Sequence, residues 1–383
     1  MKNVLVVDEV GSYELIDIPY LNDNGVVILL APKQDYEIFH GEVNDKIWFH
    51  EVERYFSENH PDYCCALSEK AIQAVSKLNV KSDATEFCKR HVAYLDKSIV
   101  YEKLSGRVKI PKTCYVSEFP DYVELSRHLN SERIIIKPKI GSGSRNVFEI
   151  SNDYQYVNFY TAHDENIDMF IAQEFISGEL YHCDLVMQDG QCLYSSERQY
   201  SVPNYLMIRD SLPLFSLELF DQDIREAIHL SALEVIRAIN FEDGVVHMEF
   251  FLPDSKTPIF LEANFRRPGI GLNSLYRKKI GFSFDTLSVL TQSKTKIPAI
   301  VPDGKYYLCG YYPMMQGKIL SINMPKIGIE HEFKLYVQPG DSCHQSQVLS
   351  SKAASVIAWS DNPEEISAVY AQLSSHKLLN ILD

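Results

Sequence analysis

The sequence predicts a chain that mixes α/β and α+β organisation. A small parallel α/β layer comes first, a larger region of strand pairs and hairpins follows, and a small α+β cap closes the chain. Three observations carry this prediction. Apolar runs of strand length alternate with helical periodicity through residue 78. The stretch from residue 113 to 264 instead reads as strands joined by turns, including an Asp189-Gly190 hairpin turn. From about Asp303 the pattern becomes short strand-like pieces between glycine and proline turns.

Taken in order, residues 3–7, 25–31, 46–50 and 63–67 have the apolar character of four strands. Residues 68–78 carry a helical pattern, and the turn after the first strand, residues 8–11, lacks the glycines of a dinucleotide fingerprint. Residues 79–83 read as a crossing segment and 85–104 as one helix, with Lys97 inside it. Residues 106–111 break that helix. A strand at 113–116, a helix at 121–129 and a strongly apolar strand at 133–139 follow. A small-residue turn at 141–145 leads to a strand at 146–150, so strand–loop–strand replaces the strand–loop–helix of a P-loop. Strands at 170–175, 180–188 and 193–199 precede a loop at 201–212 and a helix at 223–239. A hairpin spans 245–251 and 259–264, turning at residues 253–256, and a helix runs to 290. The cap reads as strands at 306–311, 318–322, 332–337 and 354–359 and a final helix at 363–373.

The chain has 383 residues, 45% of them hydrophobic, enough for two or three domains with real cores. A net charge of −15 argues against a general nucleic-acid or anionic-membrane partner, though not against ATP in a local basic cleft. No run has the ~18 apolar residues of a membrane span, and the first fifteen residues lack signal-peptide character. The eight cysteines form no C-x-x-C pair and read as buried thiols of a reducing cytoplasm.

The hairpin carries the sharpest chemistry. Period two puts His247, Glu249 and Phe251 on one face, and Phe260, Glu262 and Asn264 on one face of its partner. A turn centred on residues 255–256 sets Glu249 opposite Glu262. Like charges facing across a ladder inside apolar runs are unfavourable, and a divalent cation removes the conflict. Two carboxylates and an amide oxygen suit Mg²⁺. The plain alternative is a hairpin with solvated acids. Lys137 stands inside the apolar strand 133–139, where a lysine needs a partner. The Gly141-Ser142-Gly143-Ser144 turn offers backbone N–H groups to an anion. Glu174 ends a strand at a turn where Phe175, Ile176 and Ser177 expose backbone groups, and His182 shares a strand face with Asp184. There is neither a G-x-S-x-G elbow nor an H-E-x-x-H helix.

In this order the pieces Leu95-Asp96-Lys97, Ile136-Lys137-Pro138 with Gly141–Ser144, Gln173 to Gly178, His247-Met248-Glu249-Phe250 and Leu261 to Arg266 resemble the ATP-grasp superfamily. The likeness extends to carboxylate–amine ligases of the L-amino-acid ligase type. It implies an ATP-grasp fold over 93–302, a preceding α/β domain over 1–92 and a cap over 303–383. It implies Lys97 and Lys137 on ATP phosphates under the Gly141–Ser144 loop, and Glu174, Phe175, Ile176 and Ser177 on the adenine. His182, or Glu179 beside it, would meet the ribose. Glu249, Glu262 and Asn264 would hold Mg²⁺, with Mn²⁺ as an alternative, and Arg266, or its neighbour Arg267, would act on the transferring phosphate. The activity implied is amide formation between small molecules, an amino-acid carboxylate and an amine, through an acyl phosphate. Loading an amino acid onto a carrier protein or peptide and a catalytically silent ATP-binding module are the alternatives, and dimerisation is an expectation by analogy. Residues 195–205, 273–277 and the cap are expected to shape the amine pocket, with Arg198 a candidate for a carboxylate or phosphate contact.

Overall fold

The structure, a computed structural model, describes all residues except 10–12, 32–44, 81–82, 254–256, 346–350 and 383, and it describes the backbone alone at 45–47. Residues 10–11 and 254–256 of the predicted turns, and 81–82 of the 79–83 segment, therefore lie outside the described residues.

The first layer is a parallel three-stranded sheet with Lys2–Val7 between Val26–Leu30 and Tyr63–Ala66. Its central strand is buried on both faces, as parallel strands are. Leu5 and Val7 join one core, Val4 and Val6 another. The strand expected at 46–50 is instead the start of a helix, Asp45–Asn59. Trp48, Val52 and Phe56 recur at a spacing of four and are all buried in the first core, so helical periodicity wins over the short apolar run. Helix Glu69–Ser76 starts where expected. Ser68 caps it, its Oγ accepting from Ala71 N at 3.3 Å.

The single helix expected over 85–104 is broken. A helix at Glu86–His91 gives way to a 3₁₀ turn, Val92–Leu95, and a new helix begins at Lys97–Leu104. Asp96 causes the restart. Its Oδ1 accepts from Ser98 N at 2.9 Å, the bond of an N-cap. Lys97 therefore stands at a helix N-terminus rather than inside a helix.

His91, at the end of the first piece, packs among Phe87, Phe241 and Phe265 and donates from Nδ1 to Phe87 O at 2.7 Å. Burial holds its imidazole down at about 4. The unfolded chain takes up this proton below about pH 6.5 and the folded chain does not. The stability His91 permits is thus complete above that value and is lost as pH falls toward 4, by roughly 3 kcal/mol. In His91→Phe this acid sensitivity should shrink, as urea unfolding at about pH 7 and about pH 4.5 would show. Equal acid sensitivity in parent and variant would contradict the burial argument.

Two antiparallel sheets then face each other. The smaller has the order Thr113–Tyr115, Phe170–Glu174, Ile134–Pro138, Phe148–Ile150, with Tyr122–Leu129 and Asp153–His163 packed on it. The larger has eight strands, in the order Ile259–Asn264, Gly244–Leu252, Glu179–Gln188, Gln191–Tyr200, Leu214–Glu218, Tyr306–Pro313, Lys352–Ser360, Glu330–Leu335. Helix Gln222–Ile239 covers one face through Ile228, Ala232, Val235 and Ile236. The other face carries His182, Asp184, His247 and Glu249, with Leu272–Ile280 and Phe284–Gln292 packed beside them.

Three of the expected cap strands continue the large sheet, since Tyr306–Pro313 pairs with Leu214–Glu218. We propose 1–92, 93–302 and 303–383 as a working division of the chain, with one sheet running across its second boundary. The loop expected at 201–212 contains a helix, Asn204–Asp210, that follows Pro203. Among the described residues no helix is long and apolar enough to cross a membrane.

Candidate ATP and metal site

The hairpin pairs as its spacing predicts at its functional end. Glu249 stands opposite Glu262 and His247 opposite Asn264. Beyond that the register shifts, with Phe250 opposite Phe260, so Leu261 is an extra residue. Strict alternation put Phe260 beside Glu262. The bulge instead turns Phe260 into the core, 5.8 Å from the Phe250 ring, and frees the Leu261 carbonyl to accept from Tyr101 OH.

Both acids line a cavity of about 540 Å³ between the two sheets. Burial raises the Glu249 carboxyl, and Glu262 across the ladder adds to this. Burial also opposes ionisation of Glu262, but Lys97 and Lys137 outweigh it and hold this carboxyl below its ordinary value. Glu262 is balanced by two lysines, and Glu249 only by the His247 imidazole, which Asp184 shares, so the facing acids leave room for further positive charge. Glu249, Glu262 and Asn264 are hard oxygen donors that fit Mg²⁺.

Lys97 Nζ donates to Gly141 O at 2.5 Å and lies 4.0 Å from Glu262 Oε2, so one side chain joins the Gly/Ser loop to the acid pair. Lys137 is 6% exposed, and burial lowers its amine to about 8 against the pull of Glu262 and Glu249. Its Nζ donates to Tyr101 OH at 3.1 Å. Gly141, Ser142, Gly143 and Ser144 all line the cavity, and Arg145 joins them. Gly143 and Ser144 have φ of +70° and +56°, the left-handed backbone that a glycine-rich turn makes accessible.

At the opposite end Glu174, Phe175, Ile176 and Ser177 line the cavity beside Ile135, Leu180 and Leu261. The Glu174 carboxylate accepts from Lys112 N at 2.8 Å, and the Arg133 guanidinium stacks 3.6 Å from the Phe175 ring centre. Gly178 then turns with φ +152°, where a Cβ would meet Leu252 O at 2.9 Å.

His182 is displaced from its expected role. It is fully buried and does not line the cavity; Tyr200 stacks on it, ring centres 4.4 Å apart, and Tyr200 lines the cavity. Period two correctly gave its face but not its depth. His182 Nε2 meets Ser216 Oγ at 2.8 Å, and its Nδ1 lies 3.1 Å from Asp184 Oδ2. Glu179 is no substitute, since it is exposed, bonded to Tyr181 OH at 2.5 Å, and also outside the cavity lining. His182→Ala should therefore destabilise the fold, by about 1–3 kcal/mol in chemical unfolding, because it strips a partner from buried polar groups. An unchanged unfolding midpoint with a raised KM for ATP would return His182 to the ribose.

Arg198 is likewise fully buried. It donates to Ser216 O at 3.0 Å and Tyr307 O at 2.9 Å, so it ties neighbouring strands of the large sheet to the first cap strand and does not line this cavity. Of the residues expected around an amine, Tyr200, Pro203, Asn204 and Tyr205 line the cavity. Asn273 instead donates to Asp285 at 2.7 Å.

The two arginines separate. Arg267 donates to Asp8 and Asp285, both at 3.1 Å, and ties the hairpin to the first sheet. Arg266 lines the cavity, with Nε 3.4 Å from Glu69 Oε1.

Several residues are additions to the expected set. Asn204 donates to Glu249 Oε1 at 2.7 Å, from the helix that was expected to be loop. His247 bridges Asp184 Oδ1, at 2.6 Å from its Nδ1, and Glu249 Oε1, at 3.3 Å from its Nε2. Burial opposes the charge on His247, yet Asp184 and Glu249 outweigh it and raise the imidazole to about 9. Tyr101 stands four residues after Lys97 on one helix face, a spacing that could have flagged it.

An acid pair, two lysines and a Gly/Ser loop thus face one cavity between two antiparallel sheets. Residues 94–267 match the ATP-grasp domain family. A relative with a known activity is the L-arginine-specific L-amino acid ligase of Bacillus subtilis, 26% identical over 262 residues. That match covers 65% of this chain and 63% of the relative, less than two thirds of its length. The L-amino acid ligase from Bacillus licheniformis superposes with a TM-score of 0.67 at 14% identity, over 100% of this chain and 99% of that one. The N5-carboxyaminoimidazole synthetase from Staphylococcus aureus, complexed with ADP, gives 0.67 at 14% identity over 97% of each chain. At these identities the structures show the shared fold.

Proposed function

We propose that this protein is an ATP-dependent carboxylate–amine ligase that joins amino acids through an acyl phosphate. One observation carries the reading: Glu249, Glu262 and Asn264 face Lys97, Lys137 and the Gly141–Ser144 loop across one cavity, with Arg266 at its corner. That arrangement suits nucleotide phosphates at the centre and a second reactant beside Arg266.

In this reading the apolar end, Ile135, Phe175, Leu180 and Leu261, takes the adenine, and the backbone of Glu174 to Ser177 reads its edge. Lys97 and Lys137 hold phosphate oxygens. Glu249, Glu262 and Asn264 hold Mg²⁺, which when bound neutralises charge on the phosphates. His247 and Asn204 fix the Glu249 carboxylate from two sides. A substrate carboxylate oxygen attacks the γ-phosphorus, and the bond to the ADP oxygen breaks. An amine then attacks the acyl carbon, inorganic phosphate leaves, and the amine's proton passes to solvent. Arg266 steadies the transferring phosphate, and the Gly/Ser loop, tethered to Lys97, excludes water from the acyl phosphate.

The test is a screen of amino acids, singly and in pairs, with ATP and Mg²⁺, reading ADP, phosphate and product mass. The reading expects ADP release only with a competent pair, and a product lighter than the pair by one water. Release of AMP and pyrophosphate would overturn it. A mass gain on an added carrier protein, with no free product, would favour carrier loading instead.

A further inference from the structure

One acid in the cavity has no part in the scheme above. Glu9 lies just beyond the first strand, Lys2–Val7, at the carboxyl end of the parallel sheet, the edge from which open α/β sheets present ligand-binding groups. Its backbone is anchored, since Glu9 N donates to Ser68 Oγ at 3.2 Å, and Ser68 also caps the helix Glu69–Ser76. The Glu9 side chain lines the same cavity as Asn264, Arg266, Gly269 and Ile270.

Its surroundings distinguish it from its neighbours. Asp8 is paired with Arg267 at 3.1 Å, and Glu69 with Arg266 at 3.4 Å. The Glu9 carboxylate makes no hydrogen bond or ion pair among the described residues, although Arg266 and Lys70 are near enough to act on it. Burial, with Asp8 and Glu69 close by, raises its carboxyl above the ordinary value. A half-buried carboxylate in that position is stabilised by a cation brought from outside. Arg266 beside it is a fixed cation facing the same space. A cation and an anion side by side complement the two charges of an α-amino acid, whose ammonium and carboxylate stand on one carbon.

We propose that Glu9 receives the α-ammonium of the substrate whose carboxylate is activated, so that this substrate is an α-amino acid with a free amino group. The proposal rests on the ligase reading and adds the residue that selects the donor's free α-amino group. Arg266 and the phosphates hold the carboxylate end, and Glu9 sets which way the α-carbon points. An N-blocked amino acid or a plain carboxylic acid would leave Glu9 unpaired and would bind worse.

The experiment compares the parent with Glu9→Gln, using a carboxyl-blocked amino-acid amide as acceptor so that only one substrate can be activated. Glu9→Gln should raise the KM of the amino-acid donor by about 10- to 100-fold, the worth of a hydrogen bond to a charged group. The KM values for ATP and for the acceptor amide should stay within about twofold. The parent should prefer the amino acid over its N-acetyl derivative, and Glu9→Gln should lose most of that preference. Glu9→Asp, which keeps the charge, should fall between the two. An unchanged donor KM, or a rise in the acceptor KM alone, would overturn the proposal. Should the parent release no ADP with any pair, the ligase reading has failed instead. Calorimetric titration with the amino acid and its N-acetyl form, beside a non-hydrolysable ATP analogue, then decides Glu9 separately. Amino-acid binding that weakens in Glu9→Gln supports its role, and equal binding in both proteins overturns it.

Discussion

Glu262→Gln is expected to reduce kcat/KM by about 10²- to 10³-fold, the scale of losing one preorganised electrostatic group, while the protein stays folded. The argument begins with charge. Glu262 is the ionised member of the facing pair, kept so by Lys97 and Lys137. The amide has the same shape but no charge, so the proposed metal site loses a carboxylate and both lysines lose their counter-charge. Glu249 no longer faces a like charge, but the lysines outweigh that gain, since they hold the Glu262 carboxyl below its ordinary value. The unfolding midpoint should therefore fall modestly while the protein stays folded. Steady-state ADP release and thermal unfolding, run side by side, check both halves. Metal-dependent ADP release at the parent rate by a folded variant would remove Glu262 from the metal site.

Lys137→Met has the second largest expected effect and tests the same charges from the other side. Lys137 is buried and its amine is lowered to about 8, so holding a proton there already has a cost. Methionine keeps the length and removes that cost, so the fold should not lose stability. ATP affinity should fall by about 10-fold or more, since a charge-assisted contact to phosphate disappears. Calorimetry with a non-hydrolysable analogue measures this directly. A large loss of stability with ATP affinity intact would make Lys137 a structural partner of Tyr101 alone.

The centre of the site was legible in the sequence because its signals are local. Two acids at matching distances from a turn face each other whatever surrounds them, and Glu249 does face Glu262. A lysine inside Ile-Ile-Ile-Lys-Pro is anomalous without any tertiary knowledge. What was not legible depends on depth, on single-residue insertions and on distant partners. His182 shares the face that period two assigned, but alternation cannot say that Tyr200 covers it. Leu261 is an extra residue that leaves no mark in composition, and it alone sends Phe260 to the core. The short run at 46–50 fits strand or helix. Only its continuation through Val52 and Phe56 identifies the helix. The cap strands read correctly one by one, yet nothing local says that Tyr306–Pro313 pairs with Leu214–Glu218, about ninety residues earlier. Asn204 was hidden in a helix expected to be loop, and its contact with Glu249 is visible only in three dimensions.

The central claim is that a substrate carboxylate takes the γ-phosphate before the amine arrives. Its most direct test supplies the donor amino acid with both carboxylate oxygens labelled as ¹⁸O and analyses the phosphate released with each amide by mass spectrometry. An acyl phosphate transfers one labelled oxygen to every phosphate formed. Unlabelled phosphate accompanying labelled amide would contradict the account.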